Sequence, residues 1–160
     1  MASFKDKHGN SWKVNFDPIL LGEIKAQLGI NLVDLSKDPL GSLVSDPEKL
    51  WGVVQMTCQE QYEMQGMTAE QFSKVLVYPP DEILAALRDA VIGFFPSGRA
   101  SHVREVLEKF DQLASKTDEI ATAKMQQVMN DPRVAEAMNA KADDLITEAL
   151  TSLKAQGAGT

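Results

Sequence analysis

The stretch FKDKHGNSWKVNFDPILLGEIKAQLG, residues 4–29, decides the fold. Trp12, Val14 and Phe16 alternate with Lys13 and Asn15, the period-two pattern of a strand with one buried face. With Phe4-Lys5-Asp6 before it, the segment from Ser11 to Phe16 reads as a β-hairpin. Asp17-Pro18 then opens a helix. An Asp side chain accepts orphan N–H bonds there, and Pro at the first helical position forfeits none. Leu20, Leu21, Ile24 and Leu28 share one face of this helix, and Gly29 stops it.

The hairpin register follows from which side chains share a face. If Phe4 lies with Trp12, Val14 and Phe16, the numbers of opposed residues sum to an even value. Phe4 opposite Val14 leaves a three-residue loop, His8-Gly9-Asn10, closed by Lys7 and Ser11. Gly or Asn tolerates the left-handed conformation that such a loop needs. A lone hairpin is marginally stable, so its apolar face must pack on the helices that follow.

Those helices are punctuated clearly. Ile30, Leu32, Val33 and Leu35 form a short apolar connection. Asp38-Pro39 and Asp46-Pro47 are further helix starts, the second opening a long helix through Leu50, Trp51, Val54, Cys58 and Tyr62 to near Gly66. Thr68-Ala69-Glu70-Gln71 has the form of a capping box ahead of Phe72, Val75 and Leu76, and Tyr78-Pro79-Pro80 breaks that helix. The most apolar helix carries Ile83, Leu84, Leu87, Val91, Phe94 and Phe95, and ends at Pro96-Ser97-Gly98. Trp12, Phe16, Leu20, Ile24, Trp51, Val54, Tyr62, Phe72, Leu87, Val91 and Phe94 are expected to form one core.

After Gly98 the character changes. Val103, Val106, Leu107, Phe110 and Leu113 thin into Ile120, Met125 and Val128, and no aromatic follows Phe110. Asp131-Pro132 starts a last, Ala-rich helix with Val134, Met138, Leu145, Ala149 and Leu153 on one side. The expected fold is mainly α with a small N-terminal β-hairpin, a helical bundle plus a C-terminal helical extension. Residues 1–96 form the hairpin-plus-helices core domain, 97–156 a helical hairpin or arm, and 157–160 a disordered tail. Whether the last helices fold back on the core or project stays open.

Composition narrows the function. Of the 160 residues 44% are hydrophobic and 24% charged, the balance of an ordinary folded protein. A net charge of −7 with Lys and Arg scattered singly argues against a phosphate-tracking nucleic-acid binder and against docking on anionic membranes. Lys5, Asp6, Lys7 and His8 interrupt any apolar leader, and no run approaches the ~20 apolar residues that span a bilayer. The single Cys58 excludes an internal disulfide. A cytoplasmic protein is expected.

Catalytic chemistry has little to draw on. Cys58 sits in an apolar stripe beside Val54 and Tyr62, where a thiol is a small hydrophobe. His8 falls in the hairpin loop and His102 at a helix start, neither with an orienting partner. Asp143-Asp144 with Glu148 lacks a His and reads as a solvated face, Gly98-Arg99 is a generic helix start, and no phosphate loop or metal-ligand spacing occurs. No catalytic residue, cofactor or metal is therefore expected. Met125 and Met129 stand four apart on a sparsely apolar helix, and Met138 follows on the next. They are either core packing or an adaptable partner surface, since flexible thioethers suit both. On the second reading Met125, Met129, Met138, Ala142 and Ala149 bind a helical protein partner.

Phe4-x-Asp6-x-x-Gly9-x-x-Trp12-x-Val14, the helix ending Leu28-Gly29-Ile30-Asn31-Leu32 and the following Asp34-Leu35 resemble the tail assembly chaperones of long-tailed bacteriophages and phage-like elements. So do Asp46-Pro47-x-x-Leu50, Gly66-Met67-Thr68-x-Glu70-x-Phe72 and Phe94-Phe95-Pro96, so the resemblance covers about residues 4–96. It implies a non-catalytic, mainly helical protein of the host cytoplasm. Such a protein binds the tape-measure protein during virion morphogenesis and is absent from the finished tail. In that family a longer form commonly arises by ribosomal frameshifting. A structural or adaptor protein retained in a phage or other assembly would share these features. A small cytoplasmic enzyme is the remaining alternative, and homo-oligomerisation is left open.

Overall fold

Asp–Pro pairs set the helix starts where their positions predict. The computed structural model describes residues 2–157. The order is β1 (Ala2–Lys5), β2 (Ser11–Val14), α1 (Pro18–Leu28), α2 (Pro39–Val44), α3 (Pro47–Met64), α4 (Ala69–Val75), α5 (Asp81–Phe94), α6 (Ser97–Met129) and α7 (Pro132–Gly157). The Asp17 carboxylate accepts from Ile19 N and Leu20 N at 2.8 and 2.9 Å, and Asp38 accepts from Gly41 N at 2.9 Å. Asp46 accepts from Lys49 N at 3.3 Å and Asp131 from Arg133 N at 2.9 Å. The capping box is complete: Thr68 Oγ1 accepts from Gln71 N, and Gln71 Oε1 accepts from Thr68 N. Each of these bonds satisfies a donor that the first helical turn leaves unpaired. The fold is thus mainly helical with one two-stranded antiparallel sheet at its N-terminus.

The hairpin register departs from expectation by two residues. Phe4 stands opposite Trp12, and Ala2 opposite Val14. The opposed numbers still sum to an even value, so Phe4 keeps to the buried face. The loop is also three residues long, but it is Lys7-His8-Gly9, closed by the Asp6 N to Asn10 O bond at 3.0 Å. Gly9 N donates to Asp6 O at 3.0 Å, and Gly9 has φ 83, the left-handed residue that such a loop requires. The Asp6 side chain selects this register. It accepts from His8 N, Asn10 N, Asn10 Nδ2 and Trp12 Nε1 at 2.9–3.1 Å, and it is only 5% exposed. Pairing Phe4 with Val14 would carry Trp12 past the carboxylate.

The hairpin lies on α3, α4 and α5 by its Phe4–Trp12–Val14 face. Trp12 is fully buried, edge-on to Phe72 at 4.7 Å between ring centroids, and Phe72 stacks on Tyr62 at 4.9 Å. The outer edge of β2 is closed by a side chain. Gln61 of α3 accepts from Lys13 N and donates to Lys13 O, both at 2.8 Å, as a neighbouring strand would. Lys7 N donates to Val75 O and Lys7 Nζ to Lys74 O, each at 2.9 Å, which satisfies carbonyls at the end of α4. Where α1 crosses α3, a Cβ at Gly52 would meet the Leu28 methyls at 3.0 Å, so the small residue sets the spacing.

All eleven expected core residues belong to one cluster, with Leu20, Trp51 and Phe94 only half-buried. Ala86 and Ala90 of α5, small residues that periodicity underweights, are buried beside Leu87 and Val91.

The chain divides into two compact units, Met1–Leu113 and Ala114–Thr160. The division falls inside α6, not at Pro96, because Val103 and Leu107 on its first turns enter the same core as α5. Arg88 of α5 reinforces that packing. It pairs with Asp111 and also donates to Leu107 O at 3.4 Å. The tail expected at 157–160 lies outside the described residues, apart from Gly157 at the end of α7.

Candidate partner-binding face

The second unit consists of the later turns of α6 and all of α7, joined at Asn130-Asp131. Asn130 N still donates to Gln126 O at 2.9 Å, and Asp131 N to Val128 O at 3.2 Å, so α6 closes on its own carbonyls. Asp131 then caps α7, with Val134 N and Ala135 N donating back to Asp131 O. Both helices are thus locally specified.

Their apolar side chains are not covered. None of residues 114–155 is buried, and only Val134 is half-buried. Met125 and Met138 are each 67% exposed, and Leu145 is 60% exposed. Ile120, Val128, Met129, Ile146, Leu150 and Leu153 are likewise exposed. Singly exposed apolar residues are ordinary, whereas a contiguous run along a helix face marks an interaction surface. The five expected contact residues lie here: Met125 and Met129 on α6, and Met138, Ala142 and Ala149 on one face of α7. Leu145 and Leu153 extend that face, and Ile146 and Leu150 flank it. Sequence reasoning had not placed these four among the contacts.

The other chemistry-bearing residues do not converge. Cys58 is fully buried on α3, and burial pushes its thiol up to about 12. His8 and His102 are exposed, on the hairpin loop and α6. Asp143, Asp144 and Glu148 are exposed on α7, and Gly98-Arg99 lies in the first turn of α6. Among the described residues no group of three or more His, Cys, Asp or Glu is placed to hold a metal ion. None of their helices is long and apolar enough to cross a membrane.

No family model, curated protein or solved structure matches this chain. The candidate site therefore rests on its own geometry, a set of exposed apolar side chains on α6 and α7.

A shallow cleft of about 320 Å³ also opens in the first unit, lined by Lys5, Asp6, Val77, Pro79, Pro80, Asp81, Glu82 and Ile83. Two of its carboxylates are already engaged in the fold. Asp6 holds the hairpin loop, and Glu82 Oε2 accepts from Lys5 N at 3.4 Å.

Proposed function

We propose that this chain is a non-catalytic assembly chaperone that binds a helical client, the tape-measure protein of a phage or phage-like tail, during tail morphogenesis. The observation that supports this most is the uncovered apolar side chains of Met125, Met129, Met138 and Leu145 on α6 and α7. A helical client could bury such side chains in a helix-to-helix contact, and Met adapts to irregular partner surfaces. The likeness of residues 4–96 to tail assembly chaperones supplies the biological setting.

The test is capture of a tape-measure protein by the full chain. Met125→Asp and Met138→Asp together should weaken capture by tenfold or more, roughly the effect of charging the centre of an interface. They should leave the first unit folded. Undiminished capture would overturn the reading. Mass spectrometry of purified particles should find the chain absent, and its presence would favour a retained structural protein instead.

A further inference from the structure

A seven-residue repeat on α7 goes beyond the client reading. Ala135, Ala142 and Ala149 recur every seven residues, and Met138, Leu145 and Ser152 follow each by three. Alternating steps of three and four keep these residues on one face, the seam of a two-helix coil. All six are exposed.

We infer that α7 pairs antiparallel with α7 of a second copy of this chain. In that arrangement Met138 meets Ala149 and Leu145 meets Ala142, each twice by symmetry. Every central layer then joins one large side chain to one small, as close packing needs. A parallel pair would instead stack Ala142 on Ala142 and Leu145 on Leu145, alternating voids with crowding.

The charges select the same partner and direction. Lys141 and Glu148 flank the seam on one side, each just before an alanine of the repeat. Antiparallel pairing sets Lys141 of one copy beside Glu148 of the other, twice, the self-complementary contact of a two-fold dimer. A parallel pair would set Lys141 beside Ile146. Among the described residues neither Lys141 nor Glu148 has an ion pair within its own chain. Asp144, one turn before Glu148, carries the same sign. On the opposite flank Ile146 and Leu153 extend the apolar surface available for burial. The second copy would cover the α7 face while no client is present.

Sedimentation equilibrium of the purified full chain, without client, tests this, so its failure leaves the client reading standing. A reversible dimer is expected. Leu145→Asp should render it monomeric, and Lys141→Glu or Glu148→Lys alone should weaken it roughly tenfold, two pairs being lost per dimer. The double reversal should restore pairing. The urea midpoint of the first unit, read from Trp12 and Trp51 fluorescence, should not move in any variant. A monomer at every concentration, a dimer indifferent to Leu145→Asp, or a double reversal that fails to restore association would each overturn the inference.

Discussion

The Asp6 carboxylate accepts the indole Nε1–H of Trp12 at 3.1 Å, joining the only buried charged group among the described residues to a fully buried ring. The indole thus enters the core with its donor satisfied, and the loop that supplies the acceptor is held by the same carboxylate.

Asp6→Ala should therefore destabilise the first unit by about 2–3 kcal/mol, since it strands a buried donor and releases the loop. Burial alone would raise the Asp6 carboxyl. The bonds from the Asn10 side chain and backbone, from Trp12 and from His8 together outweigh it and hold the group below its ordinary value. A depressed folded value means that this stabilisation is complete above the unfolded value near pH 4 and is lost as pH falls through the folded value. Urea midpoints measured from pH 6 downward should show an acid-induced loss that is shallower in Asp6→Ala. Equal slopes would contradict the assignment.

Gln61 should behave as a surrogate strand. Gln61→Ala removes both bonds to the Lys13 peptide and should cost about 1–2 kcal/mol. Hydrogen exchange at the Lys13 amide should accelerate in the variant. Unchanged protection there would mean that the edge of β2 is shielded by something else.

Cys58 should be unreactive in the folded protein. A thiol whose pKa is pushed up to about 12 by burial has almost no thiolate at pH 8. An aromatic disulfide reagent should label it only after unfolding, with the labelled fraction following the urea transition. Prompt stoichiometric labelling of the native chain would show that α3 opens locally.

The limits of the first unit can be tested by shortening the chain. A chain ended at Leu113 keeps Val103 and Leu107 in place and should retain the urea midpoint of the full protein. One ended at Pro96 loses both and should fall by roughly 3–6 kcal/mol, the cost of removing two buried aliphatics and exposing their neighbours. Equal stability of the two shortened chains would place the core boundary at Pro96 after all.

The helix starts were legible because their causes are local. Asp17, Asp38, Asp46, Thr68 and Asp131 each accept from a backbone N–H two or three residues away, so a short window contains the whole interaction. Strand alternation placed Phe4, Trp12, Val14 and Phe16 on the buried face for the same reason. The extent of the core was not local, and alternation alone left the hairpin register undecided. Two registers keep Phe4 on the buried face, and the choice depends on where the Asp6 carboxylate reaches the Trp12 indole under the ring of Phe72, a residue of α4. Likewise one apolar stripe runs along α6 through Val103, Leu107 and Ala114, yet only its first turns are buried. Periodicity records which side chains share a helix face, but whether other elements cover that face depends on packing between residues far apart in the chain.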